Sequence, residues 1–65
     1  MLAEFNDGKF DDLKSSGLWL QINGYSRLSR HKYRDCVQAW IKKESVAKVQ
    51  SLPSGKFLVQ EFKIV

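Results

Sequence analysis

The chain has 65 residues, of which 43% are hydrophobic and eight are aromatic, and its formal net charge is +4. This apolar content argues against a disordered tail and predicts a single small domain spanning residues 1–65. The one cysteine excludes an internal disulfide, and one cysteine with one histidine argues against a zinc site, so we expect no metal and no other cofactor. No signal peptide and no apolar run of about 18 residues occur, so we expect a soluble, cytoplasmic protein without membrane contact.

The charge is unevenly distributed along the chain. Residues 1–17 have a net charge of −2, whereas residues 18–65 have a net charge of +6. The larger part therefore favours an acidic partner, and nucleic acid is the commonest acidic partner of small basic domains.

The first 28 residues are compatible with two different structures. The stretch "NDG" (6–8) can form a turn before a short helix over "FDDLKSSG", which would end at Gly17. The next stretch, "LWLQI" (18–22), can be a short helix, or a strand that leads into a tight Asn23–Gly24 turn. The helix would suit a helix-turn-helix domain, and the strand would add to a sheet.

A long helix is predicted from about residue 29 to residue 44. Its apolar positions recur at i, i+3, i+4, i+7 and i+8, the stripe of a helix packed on a core: Tyr33, Cys36, Val37, Trp40 and Ile41. Ser29 is a plausible N-cap, and Lys42 and Lys43 would interact favourably with the negative end of the helix dipole. Cys36 is then a core residue and not a reactive thiol.

A β-hairpin is predicted after this helix. Its strands would span about 46–51 and 56–64 around the turn "LPSG". Alternation puts Phe57 and Val59 on one face of the second strand, with Glu61 a further candidate for that face. Leu58, Gln60, Phe62 and Ile64 lie on the other face. Neither face is cleanly apolar, which predicts a bulge or a change of burial along the strand.

With a helix at 18–23, the order of elements is that of a winged helix-turn-helix domain of the α+β class. The segment "CVQAWIKKESVAKVQSLPSGKFLV" (36–59) resembles the stretch from recognition helix to wing in small phage excisionases. The matching residues are Val37, Trp40, Ile41, Lys42, Lys43, Val46, Gly55, Lys56 and Phe57. The resemblance implies a DNA-binding transcription regulator or recombination accessory factor of a mobile element, with the long helix in the major groove and the hairpin along the backbone or minor groove.

The polar face of the predicted long helix, its first turn and the wing supply the candidate contacts to duplex DNA. They are Arg27, Arg30, His31, Lys32, Arg34, Gln38, Lys42, Lys48 and Lys56. Most would meet phosphates, while Arg30, Arg34 and Gln38 are the best candidates for base edges. Asp35 lies on the same predicted face and counts against the interpretation, because its carboxylate would repel a phosphate.

The strand alternative leads to a different fold and a different function. It gives a β-β-α-β-β sheet with one packed helix, which could be a protein–protein interaction module or an inhibitor of a host or partner protein, anchored by Trp and Tyr side chains. An enzyme is not expected in either case. His31 has no nucleophile at a catalytic spacing, the carboxylates of Asp11 and Asp12 diverge, and no glycine-rich phosphate loop occurs, so we expect no small-molecule substrate.

Overall fold

A computed structural model describes residues 1–30 and 33–65 of the chain. The described residues form β1 (Leu2–Phe10), α1 (Leu13–Ile22), β2 (Ser26–Arg27), β3 (Gln38–Lys42), β4 (Ser45–Ser51) and β5 (Phe57–Ile64). The strands make one antiparallel sheet in the order β1-β5-β4-β3-β2. The α+β class is therefore confirmed. The sheet with one packed helix matches the alternative architecture, except that one strand, not two, precedes the helix.

The predicted long helix over residues 29–44 is wrong, because its second half forms β3. Ala39 is fully buried and the adjacent Trp40 is 5% exposed, and their side chains lie on opposite faces of the sheet. The apolar residues that suggested a helical stripe are largely aromatic or β-branched, and these types pack well in strands. Pairing with β4 satisfies the backbone of this segment, and a helix would have left β4 with only one neighbour.

The predicted hairpin is confirmed as β4 and β5. The two strands pair without interruption, from Ser45 opposite Lys63 to Ser51 opposite Phe57. Val59 and Glu61 share one face, as alternation predicted, and both are buried there. The register shift of the sheet lies in β1, between Glu4 and Asn6.

The stretch "NDG" (6–8), predicted to be a turn, lies inside β1, where it pairs with β5. Pairing along β5 therefore overrides the local turn preference of these residues. The two ends of the chain meet in the same ladder, because the Val65 N–H donates to the Met1 carbonyl at 2.9 Å.

Residues 18–22 are helical, and α1 has well-formed caps at both ends. The Asp12 carboxylate accepts the Ser15 N–H at 2.7 Å, which satisfies a free donor of the first turn. Beyond the C-cap Asn23, the Gly24 N–H donates to the Gln21 carbonyl and the Tyr25 N–H donates to the Leu20 carbonyl. These two bonds form a Schellman motif, which requires the positive φ of 87° that Gly24 adopts.

Both faces of the sheet bury apolar side chains, and the main core lies on the face that α1 covers. On the helix-side face, α1 packs over a core of Leu20, Tyr25, Trp40, Ala47, Val49 and Val59. The Trp40 ring approaches Gly17 closely enough that a Cβ there would lie 3.6 Å from it. On the opposite, loop-side face, Ala39 and Val46 are buried, and Tyr33 and Asp35 contact Lys48.

Candidate nucleic-acid interface

Three exposed arginines cluster in one segment of the chain. Arg27 ends the edge strand β2, and Arg30 and Arg34 lie in the connection from β2 to β3. We call these three residues the arginine segment. The connection, residues 28–37, is longer than the two to five residues usual between antiparallel neighbours, and long connections in small domains commonly carry function. The ion pairs found among residues 1–30 and 33–65 leave all three guanidinium groups unpaired.

Asp35, the acidic residue of the β2–β3 connection, forms an ion pair with Lys48. Its Oδ2 lies 3.6 Å from Lys48 Nζ. The same ammonium lies 4.4 Å from the centre of the Tyr33 ring and 5.3 Å from that of Phe62, and the Lys48 side chain is only 13% exposed. The negative charge of Asp35 is therefore compensated locally. Lys48, predicted to be a wing contact, is covered by Tyr33 and Asp35 of the β2–β3 connection and does not lie on the outer surface.

Cys36 follows this pair and is half-buried beside it. Its Sγ–H donates to the Tyr33 carbonyl at 3.8 Å, and burial raises the pKa of the thiol, with a further contribution from the charge of Asp35. A thiol with a raised pKa is a poor nucleophile. The environment of Cys36 thus suits a packing residue, although it lies in the connection before β3 and not on the predicted helix.

Two other predicted contact residues have internal partners. Gln38 is buried in β3, where its Oε1 accepts the Trp40 indole N–H at 3.2 Å. Lys42 is half-buried, donates to the Asn23 carbonyl at 3.0 Å and lies 4.6 Å from the centre of the Tyr25 ring. Lys42 thereby compensates the negative end of α1.

The remaining predicted contacts lie at the hairpin turn or outside the described residues. The Lys56 side chain is 55% exposed and lies 3.5 Å from Asp11, an exposed pair of the kind that contributes little to stability. Arg34 lines a shallow cleft with Gln50 and Ser51, at the end of β4 that leads into this turn. Arg34 and the hairpin turn therefore lie at the same end of the sheet. His31 and Lys32 lie outside the described residues.

An open groove runs between α1 and the β2–β3 edge. It has a volume of about 400 Å³, with Trp40 and Gly17 among its apolar lining residues and Lys14 and Arg27 among its polar ones. Leu18, on the rim, is 51% exposed. The groove is thus apolar at its base and basic at its border.

A buried polar cluster lies on the helix-side face, and sequence reasoning did not identify it as a site. Glu61, which is 6% exposed, accepts the Tyr25 hydroxyl at Oε2 (2.7 Å) and the Asn6 side-chain amide at Oε1 (2.8 Å). Burial raises the pKa of Tyr25, and the hydrogen bond to Glu61 and its charge raise it further. The alternation that put Glu61 beside Val59 in β5 was the signal in the sequence for this burial.

A cavity of about 150 Å³ adjoins this cluster between β1 and α1. Its apolar wall is formed by Phe10, Trp19 and Val59, with Gly8 in the strand. The rings of Phe10 and Trp19 are tilted by 52° with their centres 5.8 Å apart. The rest of the lining is polar and consists of Asn6, Asp7 and the buried carboxylate of Glu61.

Comparison of the chain with protein-family models, with curated proteins and with solved structures found no match. In residues 1–30 and 33–65, no helix is long and apolar enough to cross a membrane. The same residues contain no group of three or more side chains arranged to hold a metal ion.

Proposed function

We propose that this protein binds duplex DNA, mainly through phosphate contacts of the arginine segment. The observation that carries the proposal is the local charge balance. Arg27, Arg30 and Arg34 are exposed and unpaired among the described residues, while Asp35 is neutralised by Lys48. An unpaired guanidinium can bind a phosphate without first losing an ion pair, and its fork of donors fits two phosphate oxygens.

The contact geometry that we propose differs from that of a recognition helix. Residues 38–42 are strand β3, so insertion of a long helix into the major groove is not part of the proposal. The β4–β5 hairpin, the wing of the excisionase resemblance, remains part of it. Lys56 at the hairpin turn would add a phosphate contact at the same end of the sheet as Arg34. The biological role that we propose is regulation of transcription or recombination in a mobile element.

Contacts of this kind predict a steep dependence of affinity on salt. Each phosphate neutralised by Lys or Arg releases counterions and contributes about −0.9 to the slope of log K against log[salt]. With the three arginines and Lys56 engaged, we expect a slope of about −3 to −4 and weak dependence on base sequence.

The test is a fluorescence-anisotropy titration of a labelled DNA duplex across a series of salt concentrations. We compare the parent protein with Arg34→Gln and with the double variant Arg30→Gln/Arg34→Gln. Lys9→Gln is the matched control, because it removes one charge from β1, at the sheet edge opposite β2. Each arginine variant should weaken binding and reduce the steepness of the slope by about one per residue, whereas the control should keep the parent slope.

Two outcomes would overturn the proposal. One is absence of binding by the parent protein at about 50 mM salt, where phosphate contacts are strongest. The other is an equal loss of affinity in Lys9→Gln and Arg34→Gln, which would mean that only net charge matters.

The groove along α1 favours a second candidate function, that of a protein-interaction module. Its apolar base, the exposed Leu18 and Ile22 on α1, and its border of Lys14 and Arg27 fit an acidic amphipathic segment of a partner protein. An acidic amphipathic helical peptide would test it by titration. Binding that is lost in Leu18→Ser but kept in Arg34→Gln would support this candidate, and no binding by the parent protein would exclude it.

A further inference from the structure

We propose that the cavity beside Glu61 binds a primary alkylammonium group. The ammonium would meet the Glu61 carboxylate, and its alkyl chain would lie against Phe10 and Trp19. The ligand would be a small aliphatic amine or the end of a lysine side chain. The inference is independent of DNA binding, because the cavity lies between β1 and α1, and the arginine segment begins in β2 at the opposite edge of the sheet.

The buried carboxylate of Glu61 is the first argument. Its partners among the described residues are the neutral groups of Tyr25 and Asn6, and no ammonium or guanidinium of those residues pairs with it. A buried charge without a counter-charge is costly, so buried carboxylates are usually paired. A carboxylate offers about four acceptor positions, and these two bonds use two of them. Glu61 therefore keeps acceptor capacity at the border of the cavity.

The shape and lining of the cavity are the second argument. A volume of about 150 Å³ accommodates a short aliphatic chain, and the walls formed by Phe10, Trp19 and Val59 are apolar. The rings of Phe10 and Trp19 therefore offer apolar contact to the carbon chain while its ammonium meets Glu61. A hard metal ion is disfavoured, because such an ion needs several oxygen ligands and the described residues include no group of three or more His, Cys, Asp or Glu side chains that could hold one.

The test is a titration of the isotope-labelled protein with n-butylammonium chloride at constant ionic strength, followed by NMR. The Trp19 indole N–H and the Gly8 amide report on the cavity. The Trp40 indole N–H is an internal control, because Trp40 lines the groove on the other side of α1. We expect saturable shifts at Trp19 and Gly8 and none of comparable size at Trp40.

Two variants separate the charge of the site from its volume. Glu61→Gln keeps the size of the side chain and should reduce the association constant about tenfold, because a charge-assisted hydrogen bond is lost. Glu44→Gln, the same change in the exposed β3–β4 turn, is the matched control and should bind like the parent. Gly8→Ala adds a methyl group 3.9 Å from Phe10 Cε1, which should narrow the cavity and weaken binding several-fold with Glu61 in place.

Two further ligands show where the amine comes from and whether its charge is required. Binding of butylammonium with exclusion of N-acetyl-lysine methylamide indicates a small amine, and equal binding of both indicates a lysine side chain of a partner. Binding of neutral n-butanol as tight as that of butylammonium would refute a charge-dependent site. The inference also fails if no saturable shift occurs up to about 100 mM amine, or if Glu61→Gln binds like the parent.

Discussion

Replacing Tyr25 with Phe tests whether the buried polar cluster holds α1 and the sheet together. The Tyr25 hydroxyl donates to Glu61 Oε2 at 2.7 Å, and both residues are buried. Tyr25→Phe removes this donor and keeps the ring, so the core packing and the contact with the Lys42 ammonium are retained. The variant therefore isolates the hydroxyl.

The loss of stability expected for Tyr25→Phe follows from the hydrogen-bond partner of the hydroxyl, the Glu61 carboxylate. A hydrogen bond to a charged group contributes about 1.5–3 kcal/mol, and its loss leaves a buried carboxylate oxygen with one bond fewer. A protein of this length has a free energy of unfolding of about 3–10 kcal/mol. Tyr25→Phe should therefore remove about 2 kcal/mol and lower the melting temperature by about 8–16 °C.

The assay is urea unfolding followed by tryptophan fluorescence and by circular dichroism, for the parent, Tyr25→Phe, Glu61→Gln and the double variant. In the Glu61→Gln background the hydroxyl faces a neutral amide, so the second substitution should cost about 1 kcal/mol less than it does in the parent. A loss below about 0.5 kcal/mol in Tyr25→Phe, with an unchanged m value, would refute the reasoning, because that is the range of an ordinary surface substitution.

Three further predictions concern local strain, helix capping and alkaline pH. Lys43 has a φ of 46°, so Lys43→Gly should raise the free energy of unfolding by about 1 kcal/mol, seen as a higher urea midpoint. Asp12→Ala should lower the melting temperature at pH 7. The hydrogen bonds from Ser15 lower the pKa of Asp12, so the difference from the parent should be full above pH of about 4 and fade as the pH falls. Burial raises the pKa values of Tyr25 and Cys36, so their stabilising contribution is full below pH of about 8.5 and is lost as the pH rises; urea midpoints at pH 7, 9 and 10.5 should fall in that order.

The C-terminal hairpin could be predicted from sequence because its signals are local. The turn residues of "LPSG" and the alternation in 57–64 act within a few positions of one another, and the structure has this turn with Gly55 at a φ of 89°. The same alternation grouped Glu61 with Val59 on one face, but it did not show that this face is buried. Its partners Asn6 and Tyr25 are 55 and 36 residues away along the chain, so no local pattern could reveal the cluster.

The secondary structure of residues 29–44 could not be predicted, because the apolar residues fit both the period of a helix and that of a strand. Apolar residues at 33, 36, 37, 40 and 41 match a helix, whereas Ala39 and Trp40, both buried on opposite faces, match a strand covered on both sides. The strand is favoured by β4, which lies between β3 and β5 and pairs with both. Intrinsic helix preference is too weak to oppose such pairing. The arginine segment was identified from charge alone. That the neighbouring Asp35 is paired with Lys48 could not be predicted, because Lys48 lies in β4, away from Asp35 along the chain.

The pairing of β1 with β5 has a consequence for how the chain folds. These strands are the first and last elements in sequence, and their ladder begins with Leu2 opposite Ile64. Closing such a long loop is entropically expensive, and folding dominated by distant contacts is slow. During synthesis, β1 and α1 would emerge without Val59 and Glu61, so the helix-side core could form only after β5 had left the ribosome. We therefore expect α1 to gain most of its stability late, together with the whole sheet.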